Sequence, residues 1–168
     1  MAHSSLAIAN EMLKRARPVS APMTQMQAQK LVYLAHGWAL ALLDRPLIDD
    51  VVEAWDYGPV IRRLYDATKN YGKSPIRRFI RWGDDTPFKS DDDGDAFESL
   101  VENEASLLDA IWENYGKLEA FQLSALTHAP DSPWSKVYRK GTNRPIPENL
   151  IQSYFKTLAP DGGAANKN

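Results

Sequence analysis

Apolar residues recur along most of this chain at helical spacing. Leu6, Ala9, Leu13 and Ala16 make one stripe, which Ser4 or Ser5 can cap. Pro18, Ala21 and Pro22 follow as a short linker, and Thr24 with Gln27 forms a capping-box pattern at the head of a longer second helix. From Leu31 to Leu42 that helix is apolar almost all round, as expected of a central bundle helix wrapped by its neighbours. Asp44-Arg45-Pro46 stops it. The stretch 51–55 is β-branched and reads as a strand or an extended connection. Gly58-Pro59 offers a proline to the first turn of a helix whose apolar face, Val60, Leu64, Tyr65, Thr68 and Tyr71, opposes Arg62, Asp66, Lys69 and Lys73, with Gly72 as its stop.

Residues 76–82 fit an alternating strand as well as a helix. Phe97, Leu100, Val101, Ala105, Leu108, Ile111, Trp112 and Tyr115 trace a third strong stripe that ends near Gly116. Shorter helices are expected over about 118–127, after Ser132-Pro133 and after Pro147. The fold class is therefore mainly α. We expect a single-domain helical bundle over 1–158 around the central apolar helix at about 24–43, with room for a small two-stranded β element near 51–56 and 76–82. An acidic loop at 83–95 is expected to be mobile, and a tail at 159–168 to be disordered, because neither has much to bury.

Composition narrows the function classes. The 168 residues are 43% apolar and 25% charged, as in an ordinary globular domain, and their net charge of −2 argues against a globally basic polyanion binder. The absence of cysteine excludes disulfides, cysteine-ligated zinc, iron–sulfur clusters and a thiol nucleophile. No basic segment followed by an apolar core opens the chain, and the most apolar window, 31–43, is broken by His36 and Gly37. A soluble, cytoplasmic protein is expected.

The charges are segregated. Residues 62–81 carry seven basic side chains and one acid, a local +6, whereas 82–106 carry nine acids and one lysine, a local −8. Solvated faces are the plain reading of such runs. Opposed partner-recognition surfaces are the functional one, made of Arg62, Arg63, Lys69, Lys73, Arg77, Arg78 and Arg81 against Asp84, Asp85, Asp91, Asp92, Asp93 and Asp95. Nucleic-acid binding through the basic run is an alternative, which the adjoining acids weaken.

Two clusters carry candidate chemistry. His128 lies among Ser124, Thr127, Asp131 and Ser132, which would suit a small hydrolase, but all are neighbours in sequence. A helix C-terminus capped by His128, followed by a turn that wedges in Trp134, is the better reading. Trp55-Asp56-Tyr57-Gly58-Pro59 could cradle an anion at a helix start, yet it lacks the glycine-rich loop of a nucleotide site; packed aromatics with Asp56 as a helix cap are preferred. His36, in an apolar helix, reads as a hydrogen-bonded core histidine. No catalytic, cofactor-binding or metal-binding residue is assigned.

Three blocks together resemble the Panacea-domain family, which includes phage-associated GepA-like proteins and SocA-like antitoxins of bacterial toxin–antitoxin systems. They are Lys30-Leu31-Val32-Tyr33-Leu34-Ala35-His36-Gly37-Trp38; Trp55-Asp56-Tyr57-Gly58-Pro59-Val60 with Tyr65, Lys69 and Tyr71-Gly72; and Leu123-Ser124-Ala125-Leu126-Thr127-His128 with Ser132-Pro133-Trp134. The resemblance spans about 25–138. It implies a mainly helical, non-enzymatic domain that neutralises a cognate protein toxin by direct binding. For the SocA-like branch it also implies an adaptor that delivers the toxin to an ATP-dependent protease of the ClpXP type. The family's shared residues fall on His36, Trp55, Gly58, Pro59, Thr127, His128, Pro133 and Trp134, as fold or partner positions.

Overall fold

The computed structural model describes residues 2–88 and 94–160. Its chain runs α1 (Ser5–Ala16), α2 (Gln25–Leu42), β1 (Val52–Trp55), β2 (Gly58–Ile61), α3 (Arg62–Thr68), α4 (Glu102–Tyr115), α5 (Ala120–Thr127), α6 (Pro133–Val137), β3 (Arg144–Pro145) and α7 (Glu148–Leu158). The class is mainly α, and α2 is the central helix, packed by α1, α3, α4, α5, α7 and β2.

Local chemistry accounts for the helix starts. The Ser4 hydroxyl accepts the Leu6 N–H at 3.1 Å. Thr24 and Gln27 close the capping box at the head of α2, each accepting the other's backbone N–H. Ser132 caps α6, and Pro147 precedes α7. Gly37 lets α7 approach α2 closely: a Cβ there would lie 2.3 Å from the Phe155 ring. That ring sits edge-on to Tyr33 and Trp38, with centroids 5.8 and 5.4 Å away.

The β element differs from expectation in its partner. β1 occupies the predicted stretch, but it pairs antiparallel with β2 across the two-residue turn Asp56-Tyr57, and on its other side with β3. Proline is tolerated at position 59 because β2 lies at the sheet edge. The helix expected from Gly58-Pro59 therefore begins only at Arg62. Buried Gln29 of α2 takes the place a further strand would hold, its amide accepting the Ile61 N–H at 2.9 Å and donating to the Ile61 carbonyl at 3.0 Å.

Residues 76–82 form neither a sheet strand nor a helix. They are irregular, joined to the rest by isolated contacts, and Asn10 explains why. Its buried amide donates to the carbonyls of Ile80 and Ala96, both at 2.8 Å, and accepts the Ile80 N–H at 2.8 Å. Ala96 N–H donates to Ile80 O at 2.8 Å and Trp82 N–H to Gly94 O at 2.9 Å, beside an Arg81–Asp95 bridge. Because 94–96 is held in this way, the third apolar stripe becomes helical only at Glu102, five residues after Phe97. Asp91, Asp92 and Asp93, and the tail from 161 to 168, lie outside the described residues. No helix among the described residues is long and apolar enough to cross a membrane.

Candidate partner-binding site

The hairpin turn and the α5–α6 connection, more than 60 residues apart in sequence, build one cluster. Gly58 adopts φ +116°, and a Cβ on it would lie 3.0 Å from Lys30 Nζ, 3.5 Å from Thr127 Oγ1 and 3.7 Å from His128 Cβ. Only glycine lets the hairpin seat this closely. The Trp134 indole N–H donates to the Trp55 carbonyl at 2.6 Å. Tyr138 stacks on Trp134 at 4.5 Å, and its hydroxyl donates to Asp56 at 2.7 Å. That hydrogen bond holds the Tyr138 phenol above its usual pKa. Asp56 is thus a turn residue joined to Tyr138 and caps no helix. Trp55 packs edge-on against Tyr65 at 4.8 Å, with the Arg62 guanidinium 5.0 Å from its ring centroid.

His128 ends α5, as its sequence context suggested. Its Nδ1 lies 3.2 Å from Ser124 Oγ, and that hydroxyl donates to the Tyr57 carbonyl at 3.0 Å. With the serine proton on Tyr57, the histidine is left as donor to Ser124, opposite to the polarity of a general base. Among the described residues no carboxylate hydrogen-bonds to His128, and its ring instead meets Trp134 edge-on at 5.4 Å. The serine also comes from the same helix turn. The geometry does not assemble a hydrolase triad. Nor does Gly58-Pro59 offer helix N–H groups to an anion, because it lies in a strand.

Lys30 sits beneath the hairpin, fully buried, and donates to the Pro59 carbonyl at 2.8 Å. Burial lowers its pKa to about 7. His36 stands apart from the cluster. Its buried Nδ1 accepts the N–H groups of Leu47 and Ile48 at 3.3 and 3.4 Å, which closes the loop after α2. Desolvation holds its pKa down at about 4, so it is a neutral core histidine.

The basic and acidic runs fold onto one another. Arg63 pairs with Asp85 at 3.1 Å and Arg78 with Asp84 at 3.1 Å, while Arg62 holds Glu53 and Lys69 reaches Asp66. Arg81 and Asp95 meet through backbone at the neck of the acidic loop. Among the described residues, Lys73 and Arg77 are the members of the basic run outside side-chain ion pairs or that neck. The segregation in sequence is therefore partly cancelled in space.

Two apolar cavities flank α5. The first, of about 850 Å³, is bounded by α2, the hairpin, α3 and α5, with Met26, Lys30, Trp55, Tyr65, Lys73 and Phe121 among its walls. The second, of about 600 Å³, lies between α5 and α7 and includes Tyr33, Phe121, Leu126 and Phe155. Phe121 belongs to both and is 69% exposed, and Tyr57 at the mouth of the first is 74% exposed. Exposed aromatics beside apolar clefts are typical of interaction surfaces.

The model of the SocA-like antitoxin family with the Panacea domain matches residues 29–135. The chain is also 33% identical over 143 residues to Antitoxin SocA of Caulobacter vibrioides (strain NA1000 / CB15N), covering 82% of this chain and 72% of that protein. This chain belongs to the SocA-like Panacea family. No solved structure matches it.

The Panacea stretch contains both halves of the cluster, from Gln29 on α2 to Trp134 on α6. Six of the eight positions that the resemblance singled out, Trp55, Gly58, Pro59, Thr127, His128 and Trp134, meet there; Pro133 opens the helix that carries Trp134, and His36 serves elsewhere. Lys30, Gln29 and Phe121 were not singled out as site residues from the sequence, and Tyr57 entered only within the Trp55–Pro59 cluster. Lys30 offered one signal, a cation in the middle of an apolar helix.

Proposed function

We propose that this protein is an antitoxin that binds and neutralises a cognate protein toxin, and that it acts as an adaptor delivering the toxin to an ATP-dependent protease of the ClpXP type. Its role is then binding rather than turnover, exercised in the cytoplasm by one helical domain over 1–158. The observation that carries this reading is the SocA-like relationship across 82% of the chain. The α5 surface supports it, because two apolar cavities meeting at an exposed Phe121 suit a protein partner. Basic residues Arg62, Arg63, Lys69, Lys73, Arg77, Arg78 and Arg81 border the toxin face on this reading. The acidic loop, with Asp84, Asp85, Asp91, Asp92, Asp93 and Asp95, and the tail after Pro160 are left for the protease.

Co-expression with the product of the neighbouring gene tests the first half. A stable complex and relief of toxicity are expected; separate elution at micromolar concentration with toxicity unchanged refutes it. For the adaptor half, purified protease should degrade the toxin faster in the presence of this protein, which itself survives. Consumption of the antitoxin with the toxin persisting replaces the adaptor by ordinary labile-antitoxin behaviour.

A further inference from the structure

A cationic ridge runs from the mouth of the larger cavity to the end of α1. Residues 72–76, between α3 and the neck of the acidic loop, are laid against the head of α2 by three contacts. The Gln25 amide donates to the Gly72 carbonyl at 3.0 Å, Thr24 and Pro75 form a backbone bridge, and the Ile76 N–H donates to the Met23 carbonyl at 2.8 Å. This fastening fixes where the cations of the segment stand. Lys73 lies on the wall of the 850 Å³ cavity. Arg77, no more than about 14 Å further along the chain, lies on a separate pit of about 120 Å³, which it shares with Arg78 and with Arg17 at the end of α1. Buried Leu13, Ala16 and Ile76 give that pit an apolar lining. Arg17 stands over the Phe79 ring, 3.5 Å from its centroid, which orients the guanidinium and leaves its charge available. Arg78 is paired with Asp84 at 3.1 Å. Arg17, Lys73 and Arg77 are all exposed and, among the described residues, outside ion pairs. Arg17 lies outside the basic run of 62–81 and joins it only in the fold.

We infer that this ridge docks an acidic segment of the partner toxin, with a carboxylate seated at the arginine pit and a neighbouring apolar side chain in the mouth of the cavity beside Lys73. The inference rests on the antitoxin reading and names the face by which the toxin is held. Charge complementarity selects the occupant. Arg17 and Arg77 present forked donors that match the two oxygens of a carboxylate, and Lys73 adds a third positive point. Tyr57 and Phe121, the exposed rings on the same cavity, supply the apolar half of the contact. Because the three charges already stand on the surface, an arriving chain reaches them without any opening of the fold. A nucleic acid is served less well by this face. Its regular phosphates would run on to Asp84 and Asp85, which stand beside Arg78 and Arg63, and to Asp95 at the neck. Those carboxylates repel a continuous polyanion, whereas a short acidic segment ends before them.

The test is titration calorimetry of the full-length protein against the purified product of the neighbouring gene, at about 50 and about 500 mM salt. Arg17→Glu and Arg77→Glu should each weaken the complex by about tenfold or more at the lower salt, and the gap to wild type should narrow at the higher, where exposed charges are screened. Lys156→Glu makes the same change in net charge at the other end of α2, where Lys156 reaches Asp44 at 3.9 Å, and should leave affinity within about twofold. Thermal melting checks that each variant folds. Arg77→Gln, which removes the charge without reversing it, serves if a reversal unfolds the chain, and should bind about threefold more weakly. Carbodiimide treatment of the wild-type complex should join the Lys73 amine to an aspartate or glutamate of the toxin as an amide, with loss of water, read by peptide mass spectrometry. Reversals at both arginines that bind as tightly as Lys156→Glu, or carbodiimide links that form only away from Lys73, overturn the inference and leave the antitoxin reading standing. No complex with the wild type removes both. Binding of a short single-stranded DNA that both reversals abolish while toxin affinity is unchanged assigns the face to nucleic acid and overturns the protein-segment assignment.

Discussion

Gly58→Ala is the substitution on which the geometry of the site makes the sharpest demand. Position 58 sits at φ +116°, where an L side chain strains the backbone by about 1–3 kcal/mol. The new methyl would also lie 3.0 Å from Lys30 Nζ, a separation at which one of the two must move. The ammonium can retreat only by stretching its 2.8 Å bond to the Pro59 carbonyl, and a hydrogen bond to a charged group contributes about 1.5–3 kcal/mol. Backbone strain and the weakened bond together give about 2–5 kcal/mol, a large share of the ~5–15 kcal/mol available to a domain. Guanidinium unfolding followed by tryptophan fluorescence should show a lower midpoint at unchanged slope, and the melting temperature should fall by about 5–15 °C. Gly141→Ala is the control. It has φ +75° but open space around it, so it carries the backbone cost alone, about 1 kcal/mol. Equal effects for the two variants, or a loss below about 1 kcal/mol at position 58, would refute the close seating of the hairpin on Lys30.

Further outcomes follow from other contacts. Gly37→Ala gains helix propensity but drives a methyl to 2.3 Å from the Phe155 ring, so it should destabilise by about 1–3 kcal/mol in the same assay. His36 is neutral in the folded protein with its pKa lowered to about 4, against 6.5 when unfolded. Its contribution is complete above 6.5 and lost as pH falls toward 4, because the unfolded chain takes up a proton that the fold refuses. Stability measured across that window should fall by up to about 1.4 kcal/mol per pH unit on its account, and His36→Gln should reduce the slope. Trp134→Phe deletes the 2.6 Å bond to Trp55 O while keeping a ring against Tyr138, and should cost about 1 kcal/mol by thermal melting.

Features decided within a few residues could be read from the sequence. The Thr24–Gln27 box, the Ser132-Pro133 helix start, His36 as a core histidine and His128 at a helix end depend on local chemistry or on one amphipathic period, and all are found where that chemistry puts them. Proline at position 59 reads from the sequence as a first-turn helix residue, but an edge strand tolerates it equally, and pairing with β1 decided for the strand. Residues 97–101 have helical spacing yet form no helix, since Asn10, more than 80 residues earlier, holds the adjoining Ala96. The same distance problem hid the site. Lys30 is buried by a hairpin that arrives from elsewhere in the chain, and the opposed charge runs cancel only once Asp84 and Asp85 fold back on Arg78 and Arg63.

The neck at Ile80–Trp82 and Gly94–Ala96 makes the interval between its ends separable from the core. Paired backbone and the Asn10 amide fasten the two ends of the interval side by side, and Asp84 and Asp85 tie its first turn to Arg78 and Arg63, so the helical core meets the same boundary whatever follows Asp85. Changing the length of such an interval alters closure entropy by only about 0.6 kcal/mol per doubling. The fold thus carries an exchangeable cassette. An engineer can splice a reporter or an epitope beyond Asp85 while leaving the Arg78–Asp84 and Arg63–Asp85 pairs, the helices and the cavities beside α5 as they are.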